Sequence, residues 1–175
     1  MSGLKFDKRE LGNLEYSLDR EVLSTDRRGG YMSTTIVGCN TRKYHGLMVA
    51  PIDQSDRAYV LLSSLDETVV QHDQSFNLAL HRFEGTYEPR GHKYITDFEY
   101  TPTPTITYRV GGAVLRKELL WIHKRTQLMI RYTLLDAHSE TTLRLRPLLA
   151  FRDKHSLSKA NMEADGRAYP IPYGV

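Results

Sequence analysis

The sequence predicts an all-β protein, a sandwich or a barrel, and three observations carry that expectation. Short segments rich in Val, Ile, Thr and Tyr recur along the chain, each bounded by Gly, Pro, Asp or Ser. Gly111 and Gly112 sit between two such segments, the signature of a two-residue hairpin turn that needs positive φ. No segment shows helical periodicity over roughly ten or more residues.

In chain order, residues 7–14 are the one place where a short helical turn is expected. Residues 31–39, rich in Thr, Val and Ile, read as the first strand, followed by the short apolar segment 44–50. A third strand, 57–62, is expected to end at Ser63 and Ser64, with 67–72 and 76–83 as separate strands beyond it. Residues 94–100 alternate, and 105–110 turns through Gly111 and Gly112 into 113–122. Two long strands, 127–135 and 141–149, read as a second hairpin across the polar stretch 136–140. In the latter, Leu143, Leu145 and Pro147 fall on one face and Thr142, Arg144 and Arg146 on the other, the period of a half-wet antiparallel sheet. Trp121 ends an apolar strand and reads as core, while His123, Lys124 and Arg125 read as a solvated connection.

At 175 residues the chain suits a single domain that needs no stapling. Its one cysteine, Cys39, has no partner for a disulfide, which fits a reducing compartment, and the expected location is cytoplasmic. The N-terminus lacks an apolar signal region and no run approaches the length of a membrane span, so membrane association is not expected. A net charge of +3 from 24 basic and 21 acidic residues, interspersed without a long basic block, gives no support for nucleic-acid binding. Residues 169–175 are apolar and proline-bearing, and the sheet is expected to continue beyond them. That would leave an open edge able to take a second copy of the chain.

Two constellations stand out as candidate sites. Asn40, Arg42, Tyr44 and His45 place amide, guanidinium, phenol and imidazole within a few positions, directly before an apolar strand. They read either as a strand entry that satisfies its own backbone or as a ligand-facing patch. Arg152, Asp153 and His155 lie just beyond a long strand, and read either as an ion-paired loop or as the rim of a pocket.

No catalytic residue is assigned. Acid and base work by a carboxylate pair needs two acids about 5 to 9.5 Å apart, depending on mechanism. Asp66 with Glu67, Asp97 with Glu99, and Glu84 with Glu88 all read as solvated acids. No metal site or cofactor is expected either. His and Cys spacing matches no zinc pattern, no nucleophile elbow is present, and Gly29 and Gly30 lack the lysine and helix of a phosphate-cradling loop.

Four blocks carry a family resemblance: Thr25-Asp26-Arg27-Arg28-Gly29-Gly30-Tyr31, Asn40-Thr41-Arg42-Lys43-Tyr44-His45-Gly46-Leu47, Leu61-Leu62-Ser63-Ser64-Leu65-Asp66-Glu67-Thr68, and Arg146-Pro147-Leu148-Leu149-Ala150-Phe151-Arg152-Asp153-Lys154-His155-Ser156-Leu157. With Pro89-Arg90-Gly91-His92 and residues 107–112, they resemble the N-terminal domain of archaeal and bacterial-type glycogen debranching enzymes, over about residues 15–160. The resemblance implies a large antiparallel β-sandwich of the supersandwich kind, preceding an (α/α)-barrel that supplies the acidic pair for hydrolysis of α-1,6-linked glucose. Residues 1–175 would then be a single non-catalytic sandwich domain, inactive alone, with the barrel outside them. Its partners would be that barrel and an α-glucan, a glycogen-like or branched malto-oligosaccharide. Asn40, Arg42, Tyr44, His45, Arg152, Asp153 and His155 would shape the glucan site.

The chain also departs from the family. Where the family commonly has Asn-Gly-Leu-Gly-Gly, residues 26–30 keep the glycines but carry more charge, and Lys43 stands where an arginine is common. A stand-alone glycan-binding module and a structural protein-interaction sandwich are the alternative readings.

Overall fold

Two antiparallel sheets enclose one apolar core in the computed structural model, which describes residues 3–52, 57–159 and 166–174. The chain enters through β1 (Leu4–Asp7) and two short helices, α1 (Lys8–Gly12) and α2 (Leu14–Leu18). Asp7 caps α1 by accepting from the amides of Arg9 at 2.8 Å and Glu10 at 3.2 Å, while Glu10 reaches back to the Asp7 amide at 3.0 Å. This reciprocal capping box is the local reason for the helical turn expected here. Asn13 caps α2 in turn, through the Tyr16 amide.

The strands that follow are β2 (Glu21–Thr25), β3 (Tyr31–Thr35), β4 (Gly46–Pro51), β5 (Ala58–Gln71), β6 (Gln74–Asn77), β7 (His81–Phe83) and β8 (Thr86–Glu88). After a 3-10 turn at Gly91–Tyr94 come β9 (Ile95–Tyr100), β10 (Pro104–Val110), β11 (Ala113–Trp121), β12 (Leu128–Ala137) and β13 (Thr141–Asp153). The first sheet runs β1-β9-β10-β11-β12 and the second β13-β5-β4-β3-β2, with β6 on β5 and a separate β7-β8 pair. The all-β sandwich expected from the sequence is the architecture observed.

Several expected elements differ. The strand beginning at Tyr31 stops at Thr35, because Thr35 Oγ1 bonds both the amide and the carbonyl of Cys39 at 3.0 Å and closes a turn through Gly38, whose φ is 75°. Cys39 is buried there, and burial pushes its thiol up to about 11. Residues 57–62 and 67–72 are not separate strands. β5 is continuous over 14 residues, since its backbone pairs along its length with β13 and the Ser63 carbonyl also accepts from Asn40 Nδ2 at 2.8 Å. Serine signals a turn only where the backbone lacks a ladder partner.

The second expected hairpin is also corrected. β12 pairs with β11, whereas β13 pairs with β5 in the other sheet, so the short link at 138–140 carries the chain across the sandwich. A period-2 pattern fixes which face of a strand is buried and says nothing of its neighbour. The β10–β11 hairpin forms at Gly111 and Gly112 as expected, with Gly111 at φ 61°. Gln71 of β5 receives the Gly112 amide at 2.9 Å, which ties the hairpin tip to the opposite sheet.

Phe6, Met32, Val69, Phe98, Ile106, Leu115, Leu119 and Trp121 fill the shared core, drawn from both sheets. Trp121 is buried as expected, with no hydrogen-bond partner for its Nε1 among the described residues. Within the core lies a polar centre that links the layers. Lys117 of β11 meets Glu67 of β5, and Tyr132 Oη of β12 donates to the same carboxylate at 2.5 Å. Burial, reinforced by the Glu67 charge, holds the Tyr108 and Tyr132 phenols well above the usual range. Asp66 is buried beside them and held by His81 Nε2 at 2.9 Å and Arg146 at 3.1 Å. The reading of Asp66 and Glu67 as solvated acids is therefore overturned. Both are paired groups of the interior.

Among the described residues no helix is long and apolar enough to cross a membrane.

Candidate functional site

The loop after β3 and the end of β13, more than a hundred residues apart in sequence, meet on the outer face of the second sheet. Cross-strand register places Tyr31, Val49, Val60 and Arg152 in one row across β3, β4, β5 and β13. Val49 and Val60 are fully buried in a small cluster with Ala58, Tyr31 and Ala150, which gives this face a rigid apolar floor. β13 extends through Phe151, Arg152 and Asp153, residues expected beyond the strand, and is bulged between Leu148 and Arg152. Such a bulge redirects side chains locally.

Arg152 Nη2 donates to the Lys43 carbonyl at 2.6 Å, and its Nη1 to the Ser156 carbonyl at 2.9 Å. Lys43 Nζ donates to the His155 carbonyl at 3.3 Å. Tyr44 Oη lies 3.3 Å from His155 Nδ1, the two rings edge to face at 5.7 Å, and Tyr31 Oη donates to the Tyr44 carbonyl at 3.0 Å. Burial raises the Tyr31 phenol above its ordinary value, against the opposing pull of Arg152. Asp153 Oδ1 accepts the His155 amide at 2.7 Å and shapes the turn that presents the imidazole. Tyr44, Arg152, Asp153 and His155 thus form one cluster.

The remaining expected site residues face elsewhere. Asn40 turns inward, donating to Ser63 and accepting from Thr34 at 2.9 Å. His45 is 2% exposed, and its Nδ1 accepts the Thr41 amide at 3.1 Å. That fixes the proton on Nε2, which lies 3.4 Å from Glu21 Oε1 without forming a hydrogen bond. Burial lowers the His45 pKa, only partly opposed by Glu21, so the neutral form is favoured. Arg42 is exposed and paired with Glu21. Asn40 and His45 are accordingly supports of the loop, Asn40 through its bonds to Ser63 and Thr34 and His45 through its burial and the Thr41 amide.

A groove runs beside Tyr44 along β2 and β3. Leu23 pairs with Ser33 and Thr25 with Tyr31, so these four side chains share the outer face, and the Arg27, Gly29 and Gly30 turn closes one end. Aromatic rings beside hydroxyls and a guanidinium are what a sugar needs, an apolar face to stack on and donors for its hydroxyls. Tyr31 and Ser33 escape sequence reading as site residues because β2, their pairing partner, was not expected. The signal is present in the two-residue spacing of Leu23 with Thr25 and of Tyr31 with Ser33 around the Gly29-Gly30 turn.

Nothing in this cluster sets two free carboxylates across a ligand-sized gap. Among the described residues no group of three or more His, Cys, Asp or Glu is arranged to hold a metal ion.

A family model described as glycogen debranching enzyme N terminal matches residues 20–170. No curated protein and no solved structure matches the chain.

Proposed function

This chain belongs to the glycogen debranching enzyme N-terminal family, and we propose that it acts as the non-catalytic sandwich of an α-glucan debranching enzyme, an amylo-α-1,6-glucosidase. In this reading it packs on a catalytic barrel and forms one wall of the glucan site. The observation that carries the proposal is the convergence of Tyr44, Arg152 and His155 beside the Tyr31 groove, since it unites two separate family-like blocks on one rigid surface. Tyr31 and Tyr44 provide the stacking faces, while Arg152 and His155 supply hydrogen-bonding groups at the rim, and Arg42, paired with Glu21, lies outside this surface. Asp153, Asn40 and His45 hold the loops that present them.

The barrel would dock where apolar side chains are left in water. Leu149 is 77% and Phe151 75% exposed on the edge strand β13, and Leu134 and Met129 are exposed on β12, the edge of the other sheet. Large apolar side chains left exposed on sheet edges suit such docking. Pro147 within β13 is tolerated on an edge, and with Arg144 and Arg146 it disfavours pairing of β13 with a second copy of itself.

Two measurements test the proposal. Titration of the isotope-labelled chain with maltoheptaose should shift the resonances of Tyr31, Tyr44 and His155, and Tyr44→Ala should remove saturable binding. Absence of any response at millimolar sugar defeats the glucan contact. Incubation with a branched dextrin should release no glucose, and release by the purified chain defeats the non-catalytic assignment.

A further inference from the structure

Two hairpin loops at one end of the sandwich bring together basic residues that the glucan wall does not use. The β2–β3 loop carries Arg27 and Arg28, the β11–β12 loop carries His123 and Lys124, and with Asp26 they line one cleft. The loops are stitched to each other. The Lys124 amide donates to the Asp26 carbonyl at 3.2 Å, and Arg28 Nη1 donates to the Lys124 carbonyl at 3.1 Å. Asp26 is wholly buried beneath, its Oδ1 accepting the amides of Arg28 at 2.7 Å and Gly30 at 2.9 Å, so the β2–β3 loop has a fixed shape.

Both loops hold a basic residue in a left-handed conformation, with φ 62° at Arg27 and at Lys124. A long side chain is an uncommon choice at such a position, where Gly, Asn or Asp fit with less strain. Among the described residues, no carboxylate lies within ion-pair distance of Arg27, Arg28 or Lys124, whereas Lys5, Arg42, Lys117, Arg131 and Arg146 each meet an acid. The buried Asp26 carboxylate offsets only part of their charge. What remains is a rigid, net-positive recess with two guanidinium groups and one ammonium, a donor set suited to a tetrahedral oxyanion. Arg27 borders the adjoining Tyr31 and Tyr44 groove as well, so an anion in the cleft lies next to a surface that suits a sugar ring.

We propose that the cleft between the two loops binds the phosphate monoester of a sugar. The phosphate takes its hydrogen bonds from Arg27, Arg28 and Lys124, and the sugar extends toward Tyr31. The same chemistry is presented by a free sugar phosphate and by phosphate groups carried on an α-glucan. The phosphate assignment stands on the cleft alone, while the second source rests on the glucan reading above.

The test is an NMR and calorimetric titration of the full chain at constant ionic strength with three probes: glucose 6-phosphate, maltoheptaose and a phosphorylated maltodextrin. Glucose 6-phosphate should shift the amides of residues 26–30 and 122–125. The variant Arg28→Gln/Lys124→Asn should weaken that response by roughly tenfold or more, the size expected on losing charge-assisted hydrogen bonds. Lys124→Asn alone, which relieves the left-handed strain, should weaken it in the same direction while the chain melts no lower than the parent. A phosphorylated dextrin that binds roughly tenfold more tightly than maltoheptaose assigns the phosphate to the glucan. A response to glucose 6-phosphate without that gain assigns it to a free sugar phosphate. If maltoheptaose fails to bind while the phosphate probes still shift these amides, the glucan wall falls and the phosphate site stands. No saturable shift from either phosphate probe, or an undiminished response in the folded double variant, overturns the proposal.

Discussion

Lys117→Met removes the ammonium from the interior polar centre and leaves Glu67 buried with Tyr132 as its side-chain partner among the described residues. The Lys117 and Glu67 side chains are 7% and 3% exposed, so the lost cation is not replaced by bulk solvent. Breaking a buried ion pair from one side costs about 3 to 5 kcal/mol, against a total stability of about 5 to 15 kcal/mol for an ordinary domain. The single variant should therefore lose a large fraction of its stability. The loss should be recoverable, because most of it comes from the stranded carboxylate and little from the missing attraction. Glu67→Gln in the same chain removes that charge while keeping an acceptor for Tyr132 Oη. Urea unfolding followed by circular dichroism, on the parent, both single variants and the double variant, closes the cycle. Lys117→Met should fall by about 3 kcal/mol or more, and the double variant should be more stable than the sum of the single changes predicts by at least about 1 kcal/mol. A loss below about 1 kcal/mol for Lys117→Met, or simple additivity, would refute the view that this pair is a desolvated link between the sheets.

Two further outcomes follow from buried groups elsewhere. His45 and His92 both have pKa values lowered by burial, with Lys93 and Arg90 adding to the effect at His92 and Glu21 opposing it at His45. Below the ordinary value of 6.5 the unfolded chain takes up these protons first, so stability should be present above that pH and decline as pH falls through the interval beneath it. The slope should reach up to about 1.4 kcal/mol per pH unit for each histidine. Urea midpoints measured from pH 7.5 to 5.5 should fall, and should flatten in His45→Asn/His92→Asn; a parent profile that is already flat contradicts the assignment. A side chain at Gly91 would place its Cβ 2.0 Å from the Leu78 carbonyl carbon and oxygen, backbone atoms that cannot rotate away. Gly91→Ala should cost about 3 kcal/mol in chemical denaturation, and a variant as stable as the parent would show that the 3-10 turn is free to shift.

The resemblance carried by Pro89 to His92 thus acquires a physical reason. Gly91 donates its amide to Ala79 at 2.9 Å where the two backbones touch, and only glycine allows that approach. Other features were legible for local reasons. The turn at Gly111, the capped helix at Asp7 and the alternation in the β strands each depend on residues within a few positions of one another. Misreadings arose where a distant partner overrode a local signal. Ser63 and Ser64 imitate a turn, yet β13 and Asn40 hold them in a strand. Asp66 and Glu67 imitate surface acids, yet Arg146, His81, Lys117 and Tyr132 surround them.

The candidate site divides along the same line. Sequence by itself determined the all-β class, the family and the two polar blocks, because strand propensity, turn chemistry and motif order are properties of neighbouring residues. Only the tertiary structure decided that β12 and β13 part into different sheets. It also brought Tyr44 against His155, turned Asn40 and His45 inward, and set Arg27 and Arg28 beside Lys124. Those outcomes depend on pairing register and burial between segments tens of residues apart or more, and a period-2 pattern contains no information about which strand will lie alongside.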